Sequence, residues 1–171
     1  MKTNTNRIPT FEELYDLVPD EIRSLLDDCK DTPQSPDWHP EGDVYKHTKI
    51  VYSRARETGD INQCMAALFH DLGKVKTTRP SKNHPGSWSA FGHEAVSSGL
   101  VQKHKKWIGS MGARWFWVYN VVNEHMRVKR IDEMRPHKQQ ALRDNHQWKR
   151  IEQFTTFDNM KTLTDDELEG R

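Results

Sequence analysis

Between its proline- and glycine-rich breaks, this chain repeats apolar residues at helical spacing, and that pattern limits its fold more than any other feature. Val44, His47, Thr48, Val51 and Ala55 fall at i, i+3, i+4, i+7 and i+11 and share one face. Ile61, Cys64, Met65, Leu68 and Leu72 form a second stripe, and Ile22, Leu25 and Leu26 an earlier one. Punctuation residues agree. Thr10 with Glu13 has the form of a capping box, Pro19 suits a first helical position, and Asp43 and Asp60 suit N-caps. Gly59 and Gly73 read as helix ends. GHEAVSSGLVQKHKKWIG reads as one helix. ARWFWVYNVVNEHMR reads as another, its length deciding against a strand. Pro136 breaks the chain before the short HKQQALRD, and QWKRIEQFTTFDNMK, which contains Asp158, forms a last long helix. The expectation is an all-α bundle of about seven helices. Two loops interrupt it, DTPQSPDWHPEGD and the 17-residue VKTTRPSKNHPGSWSAF, the second long enough to be functional.

Leu, Ile, Val and Phe supply only 33 of the 171 residues, close to a disordered composition, but 26 basic and 25 acidic side chains nearly cancel. Six Trp, six Phe and four Tyr build a modest core. Residues 1–171 read as a single domain, with 1–35 a helical extension and 164–171 an acidic tail. No run approaches 18 apolar residues and the N-terminus has no apolar h-region, so neither a membrane span nor a secretory signal is expected. Cys29 and Cys64 allow at most one bridge, and a reduced cytoplasmic setting follows. Charge is uneven. Residues 1–42 carry 4 basic and 10 acidic side chains, residues 43–163 carry 21 and 11, and all nine histidines lie between His39 and His146. A basic, histidine-rich middle suits anionic ligands and metal ions.

Ligand-type side chains interrupt the apolar faces. His47 sits within its stripe, His70-Asp71 follows AALF, His93 opens a helix, His125 ends WFWVYNVV, and Asp158 follows Phe154 and Phe157. Burying such groups is costly unless they are paired, hydrogen-bonded or metal-bound. A lone histidine on an apolar face is more often a hydrogen-bonded core residue than a ligand. The adjacent His70-Asp71 pair shifts the balance, because helix neighbours diverge by about 100° and converge only near a helix end. Imidazoles and carboxylates from separate helices make a mixed N/O site suited to Mn, Fe, Co, Ni or Zn, with Mg admitted but less favoured. His84, His104, His137 and His146 sit among polar residues and read as solvent-facing, and His39 reads mainly as part of a turn.

The order His47, His70-Asp71, Asp158 resembles the signature of HD-domain phosphohydrolases. HPEGDVYKHT, LFHDLGKVKTT, FGHE and NEHMR further resemble, in order and spacing, the HD domain of bacterial tRNA nucleotidyltransferases, over roughly residues 38–161. The nucleotidyltransferase head has no counterpart, so the resemblance implies a stand-alone HD hydrolase. It implies a first divalent ion on His47, His70, Asp71 and Asp158, and, in two-metal members, a second on His93 and His125 with Asp71 bridging. One or two ions per chain both remain open.

In that reading Asp71 and Lys74 are the catalytic pair, the Lys74 ammonium aimed at phosphoryl oxygens. Arg127 is a bidentate phosphate candidate. Lys76 and Arg79 would close over a nucleotide from the long loop, and Trp88 would stack on its base. The implied activity is metal-dependent hydrolysis of nucleotide-type phosphoesters, 2′,3′-cyclic phosphodiesters and nucleoside monophosphates first. The rivals are a dNTP or signalling-nucleotide hydrolase on the same fold, and an inactive module that binds a nucleotide or RNA.

Overall fold

The computed structural model describes residues 7–170 and is built from helices. Two short helices come first, α1 (Phe11–Leu17) and α2 (Asp20–Cys29), followed by α3 (Val44–Glu57), α4 (Ile61–Phe69) and one turn, α5 (Lys74–Thr77). A hairpin of two-residue strands, β1 (Arg79–Pro80) and β2 (Trp88–Ser89), pairs Arg79 with Ser89 and Pro80 with Trp88. Then come α6 (His93–Lys103), α7 (Lys105–Ser110), α8 (Trp115–Lys129), α9 (Pro136–Arg143), α10 (Trp148–Phe157) and α11 (Asp165–Glu169). Seven of these helices have eight or more residues. No helix among the described residues is long and apolar enough to cross a membrane.

Local signals set most boundaries. Thr10 and Glu13 form the reciprocal capping box, and the Asp43 and Asp60 side chains accept from Lys46 N and from Asn62 and Gln63 N. Val44, His47, Thr48, Val51 and Ala55 are all buried, as the stripe requires. Pro19 is the N-cap of α2, one position before the first helical residue expected for it, and Pro136 opens α9 instead of ending a helix.

Four boundaries differ from the sequence reading. The segment expected as one helix from Gly92 divides at His104, whose Nε2 pairs with Glu21 on α2 at 3.1 Å. This histidine is therefore mostly buried. Helix α4 stops at Phe69, and Gly73 starts the next turn with an ordinary helical φ of −61°. Helix α10 stops at Phe157, leaving Asp158 as its C-cap. The acidic tail forms α11, with a capping box from Thr164 to Glu167.

One hydrophobic cluster runs from Phe11 to Met160 and joins α1 and α2 to the rest. Helix α4 lies at its centre, with all of Cys64–Phe69 buried, packed between α3, α8 and α6. Helices α4, α8 and α10 run in the same direction. At their starts Asn62 Oδ1 accepts from Arg114 N at 2.7 Å and Gln63 Nε2 donates to the Arg150 carbonyl at 2.9 Å. At their ends Lys129 Nζ meets Asp158 Oδ2 at 2.9 Å. Three helix C-termini thus converge at one end of the bundle.

Arg54 ties the C-terminal segment to α3. Its Nε and Nη2 donate to the two Glu167 carboxylate oxygens at 2.6 and 3.0 Å, and its Nη1 to the Phe157 and Asn159 carbonyls. The Arg54 hydrogen bonds hold the Glu167 carboxyl below its ordinary 4.5, against the opposing effect of burial. Arg54→Ala should therefore lose about 1–3 kcal/mol in urea denaturation at neutral pH. Because the folded carboxyl titrates lower than the unfolded one, the Glu167 contribution is complete above about 4.5 and fades as pH falls below that. The gap between wild type and Glu167→Gln should close accordingly in acid.

Candidate metal centre

At the convergence of the three helix ends, six ligand-type side chains meet, and all are buried. His47 comes from the first turn of α3, His70 and Asp71 from the end of α4, His93 from the start of α6, His125 from the penultimate turn of α8, and Asp158 from the cap of α10. Four atoms form the tighter group: His47 Nε2, His70 Nε2, Asp71 Oδ2 and Asp158 Oδ1. His47 Nε2 stands 2.7 Å from Asp158 Oδ1, 3.2 Å from His70 Nε2 and 3.3 Å from Asp71 Oδ2. His70 Nε2 is 3.2 Å from Asp71 Oδ2 and 3.3 Å from Asp158 Oδ1. The other Asp71 oxygen, Oδ1, faces His93 Nε2 at 3.1 Å and His125 Nε2 at 4.0 Å. One carboxylate thus serves two nests.

The imidazoles are aimed by their far nitrogens. Nδ1 of His70, His93 and His125 each bonds the carbonyl three residues earlier, Ala67 at 2.7 Å, Ala90 at 2.9 Å and Val122 at 2.6 Å. His47 Nδ1 instead meets Glu41 Oε1 at 2.9 Å, and the same oxygen takes His39 Nδ1 at 2.8 Å. With each Nδ1 held by an oxygen acceptor, every Nε2 points inward, the orientation that metal-ligating histidines adopt. His125 Nε2 is buried without a hydrogen-bond partner, and His93 Nε2, though 3.1 Å from Asp71 Oδ1, is not aligned for a hydrogen bond to it. Such atoms are costly unless something at the centre satisfies them.

The electrostatics call for positive charge. Burial opposes ionisation of Asp71 and Asp158, yet nearby His70, with Lys74 for Asp71 and Lys129 for Asp158, holds both carboxyls well below the usual range. Burial would also neutralise His70, but Asp71 and Asp158 overcome it and raise the imidazole to about 10. His125 goes the other way. Burial, reinforced by the charge on His70, lowers it to about 3, leaving a neutral ring with a free lone pair. Glu41 is held at about 2, because its bonds to His39 and His47 outweigh its burial. Two ammonium groups rim the centre, Lys74 Nζ at 3.0 Å from Asp71 Oδ2 and Lys129 Nζ at 2.9 Å from Asp158 Oδ2.

A cleft of about 850 Å³ opens over the centre, within the usual range for small-molecule sites. Lys74, His93 and Lys129 lie on its lining, as do Trp88 and Arg127. Lys76 and Arg79 are not among the described residues that line it. Lys76 is exposed, and the Arg79 guanidinium turns back onto the Thr78 carbonyl.

Other contributors escaped the sequence reading. Trp38 and Phe91 line the mouth, 69% and 95% exposed. Lys129 had a usable signal, since it sits four residues after His125 on the same helical face. Glu41 had one too, an acid between two histidines, and His39 beside it is a cleft residue as well as a turn residue. Ser35 Oγ fastens the hairpin to the 33–39 loop by bonding both Trp88 N, at 2.9 Å, and Trp88 O, at 3.0 Å.

The model of the HD domain family matches residues 44–159, about two thirds of the chain. The chain belongs to the HD domain family. The family is generally one of metal-dependent phosphohydrolases, and HD domains bind divalent metals. Among curated proteins the HD chain is 32% identical over 102 residues to a multifunctional CCA protein of Neisseria meningitidis, covering 54% of this chain and 23% of that protein. It is 41% identical over 71 residues to the multifunctional CCA protein of Methylococcus capsulatus, covering 40% and 15%. It is 44% identical over 70 residues to that of Thioalkalivibrio sulfidiphilus, covering 40% and 16%. The chain spans less than a quarter of the length of these relatives. No solved structure gives a significant match.

Packing of the HD turn itself is close. Gly73 N donates to Ser97 Oγ at 2.8 Å, and a Cβ at Gly73 would collide with the His93 carbonyl and the Ser97 hydroxyl. Gly73→Ala must push α6 away from α4. We expect a loss of about 1–3 kcal/mol in chemical denaturation, typical of overpacking. A Gly73→Ala protein as stable as wild type would show that this approach is not tight.

Proposed function

We propose that this chain is a metal-dependent phosphohydrolase acting on nucleotide-type phosphoesters, with 2′,3′-cyclic phosphodiesters and nucleoside monophosphates favoured. The observation that carries the reading is the divided Asp71 carboxylate, one oxygen against His47 and His70 and the other against His93. In this reading His47, His70, Asp71 and Asp158 hold one divalent ion, and Asp71, His93 and His125 a second. The donors fit such ions, because His93 Nε2 and His125 Nε2 are otherwise orphaned and the mixed N/O set suits Mn, Co, Ni, Fe or Zn, with Mg admitted. When bound, a divalent ion supplies an acidified water and a Lewis acid for the phosphoryl oxygens.

The chain's own groups do the rest. Lys74, within reach of Asp71 and held by Gln34 Oε1 at 2.9 Å, offers an ammonium to the phosphoryl oxygens as their charge rises. Lys129 neutralises the outer oxygen of Asp158 and faces the same cleft. Arg127, restrained by Glu124 at 2.9 Å, is the wall-side phosphate ligand. Trp88, with Trp38 and Phe91, presents ring faces on which a base can stack. Lys76 and Arg79 have no part in this version of the substrate site. A cytoplasmic setting accords with buried, unpaired Cys29 and Cys64.

The first test is metal stoichiometry alongside hydrolysis of a nucleotide panel with each divalent ion. Asp71→Ala should lose metal and turnover together while keeping its helical circular dichroism. His93→Ala and His125→Ala should each retain one ion and lose most activity. An active, metal-replete Asp71→Ala protein would overturn the reading, and one ion per chain in wild type and both histidine variants would remove the second nest.

Lys74→Ala should lower kcat about 10²–10³-fold, the cost of losing one donor to a developing oxyanion, with metal content unchanged. Metal lost in step with activity would mean that Lys74 holds the carboxylates together instead.

A further inference from the structure

The end of the bundle opposite the metal centre carries a second concentration of functional groups. Residues 95–123 contain no Asp or Glu, yet include Lys103, Lys105, Lys106 and Arg114, and Lys149 and Arg150 come beside them at the start of α10. Among the described residues, Lys105, Lys106, Arg114, Lys149 and Arg150 form no ion pair with a carboxylate. Three of them lie over tryptophan rings instead. The Arg150 guanidinium is 3.9 Å from the Trp117 centroid, that of Arg114 is 4.7 Å from the same ring, and Lys105 Nζ is 5.6 Å from Trp115.

Trp115, Phe116 and Trp117 follow one another in the first turn of α8 and so fan around the helix at about 100° per residue. Phe116, 51% exposed, lies between the Lys105–Trp115 pair and the Arg114–Trp117–Arg150 group. The arrangement is held from beneath. Asn62 accepts from Arg114 N, and Gln63 donates to the Arg150 carbonyl, so the starts of α8 and α10 are fixed to α4. Trp117 is twelve residues from Lys129, about 18 Å along the helix, so this face is separate from the metal centre.

We propose that this face binds single-stranded nucleic acid, its cations without carboxylate partners taking phosphates and the exposed Phe116 ring taking a base. Five cations without carboxylate partners grouped on one face match a polyanion, and an exposed ring among them matches one whose bases are free to stack. An acidic polypeptide would use the cations and leave the rings without a role.

The test is fluorescence anisotropy of the full chain with a labelled oligouridylate of about twelve nucleotides, long enough for one such site. Wild type should bind with an affinity that falls with salt. Lys106→Glu combined with Arg114→Glu should weaken binding at least about tenfold and lower the salt slope by about 1.4, two phosphate contacts on a single strand. Phe116→Ala should weaken binding about tenfold at an unchanged slope, as loss of one stacked base requires. Both variants should melt within a few degrees of wild type and keep its hydrolysis of a mononucleotide. No binding by wild type, or variants that bind like wild type, would overturn the proposal. So would polyglutamate competing as well as unlabelled oligouridylate at equal charge, which would give the face to an acidic protein.

Discussion

Two buried carboxylates, Asp71 and Asp158, set the terms for everything around them. Removing ionised carboxyls from water costs several kcal/mol each unless charge and hydrogen bonds are returned. Here the return comes from His47, His70 and the two rim lysines, each within about hydrogen-bonding distance of one or the other. Those partners arrive on four different elements, and His93 on a fifth, so the charges can be compensated only if the elements pack in one arrangement. Helix α6 is the tightest case. His93 reaches Asp71 Oδ1 because α6 sits hard against the HD turn, and the turn admits it because residue 73 has no Cβ. The polar centre therefore acts as a specification on the apolar packing, and not as a decoration inside it. The same charges that make an empty centre expensive make a cation welcome there.

What was legible in the sequence was what local physics decides. Caps at Thr10, Asp43 and Asp60 depend on side chains reaching backbone N–H groups two or three residues away, and all three formed. The buried stripe of α3 followed from spacing alone. The six ligand-type residues could be named because each breaks an apolar face, and the fold brings all six together. What failed was tertiary. The break at His104 depends on Glu21, more than 80 positions earlier, and no local residue announces it. Gly73 reads in the sequence as a helix end, but its reason is a helix that approaches from 20 residues downstream. Lys76 and Arg79 could not be assigned from charge, because whether a loop cation faces a cleft is decided by how the hairpin is fastened, here by Ser35 to Trp88. Glu41 and Lys129 lay in plain sight as residue types. Their roles depend on which neighbours the fold supplies.

Shared helix direction connects the two ends of the molecule. Helices α4, α8 and α10 all finish at the metal centre, so their partially negative C-termini add to the carboxylates in favouring a cation. The same geometry obliges their N-termini to finish together at the other end, where partial positive charge adds to Arg114, Lys149 and Arg150. Helices α3 and α6 run the opposite way and bring their N-termini to His47 and His93 at the centre, which offsets part of this field. The two ends lie about the length of α8 apart, some 20 Å. The side-chain charges follow the same division: Asp71 and Asp158 are buried at one end, and Lys105, Lys106, Arg114, Lys149 and Arg150, without carboxylate partners, lie at the other. Dipoles fade within a turn of each terminus, so they cannot create either site alone. They do make the choice of side chains cheaper at both ends, and they tie the polarity of a cation-binding centre to that of an anion-attracting face through one packing decision.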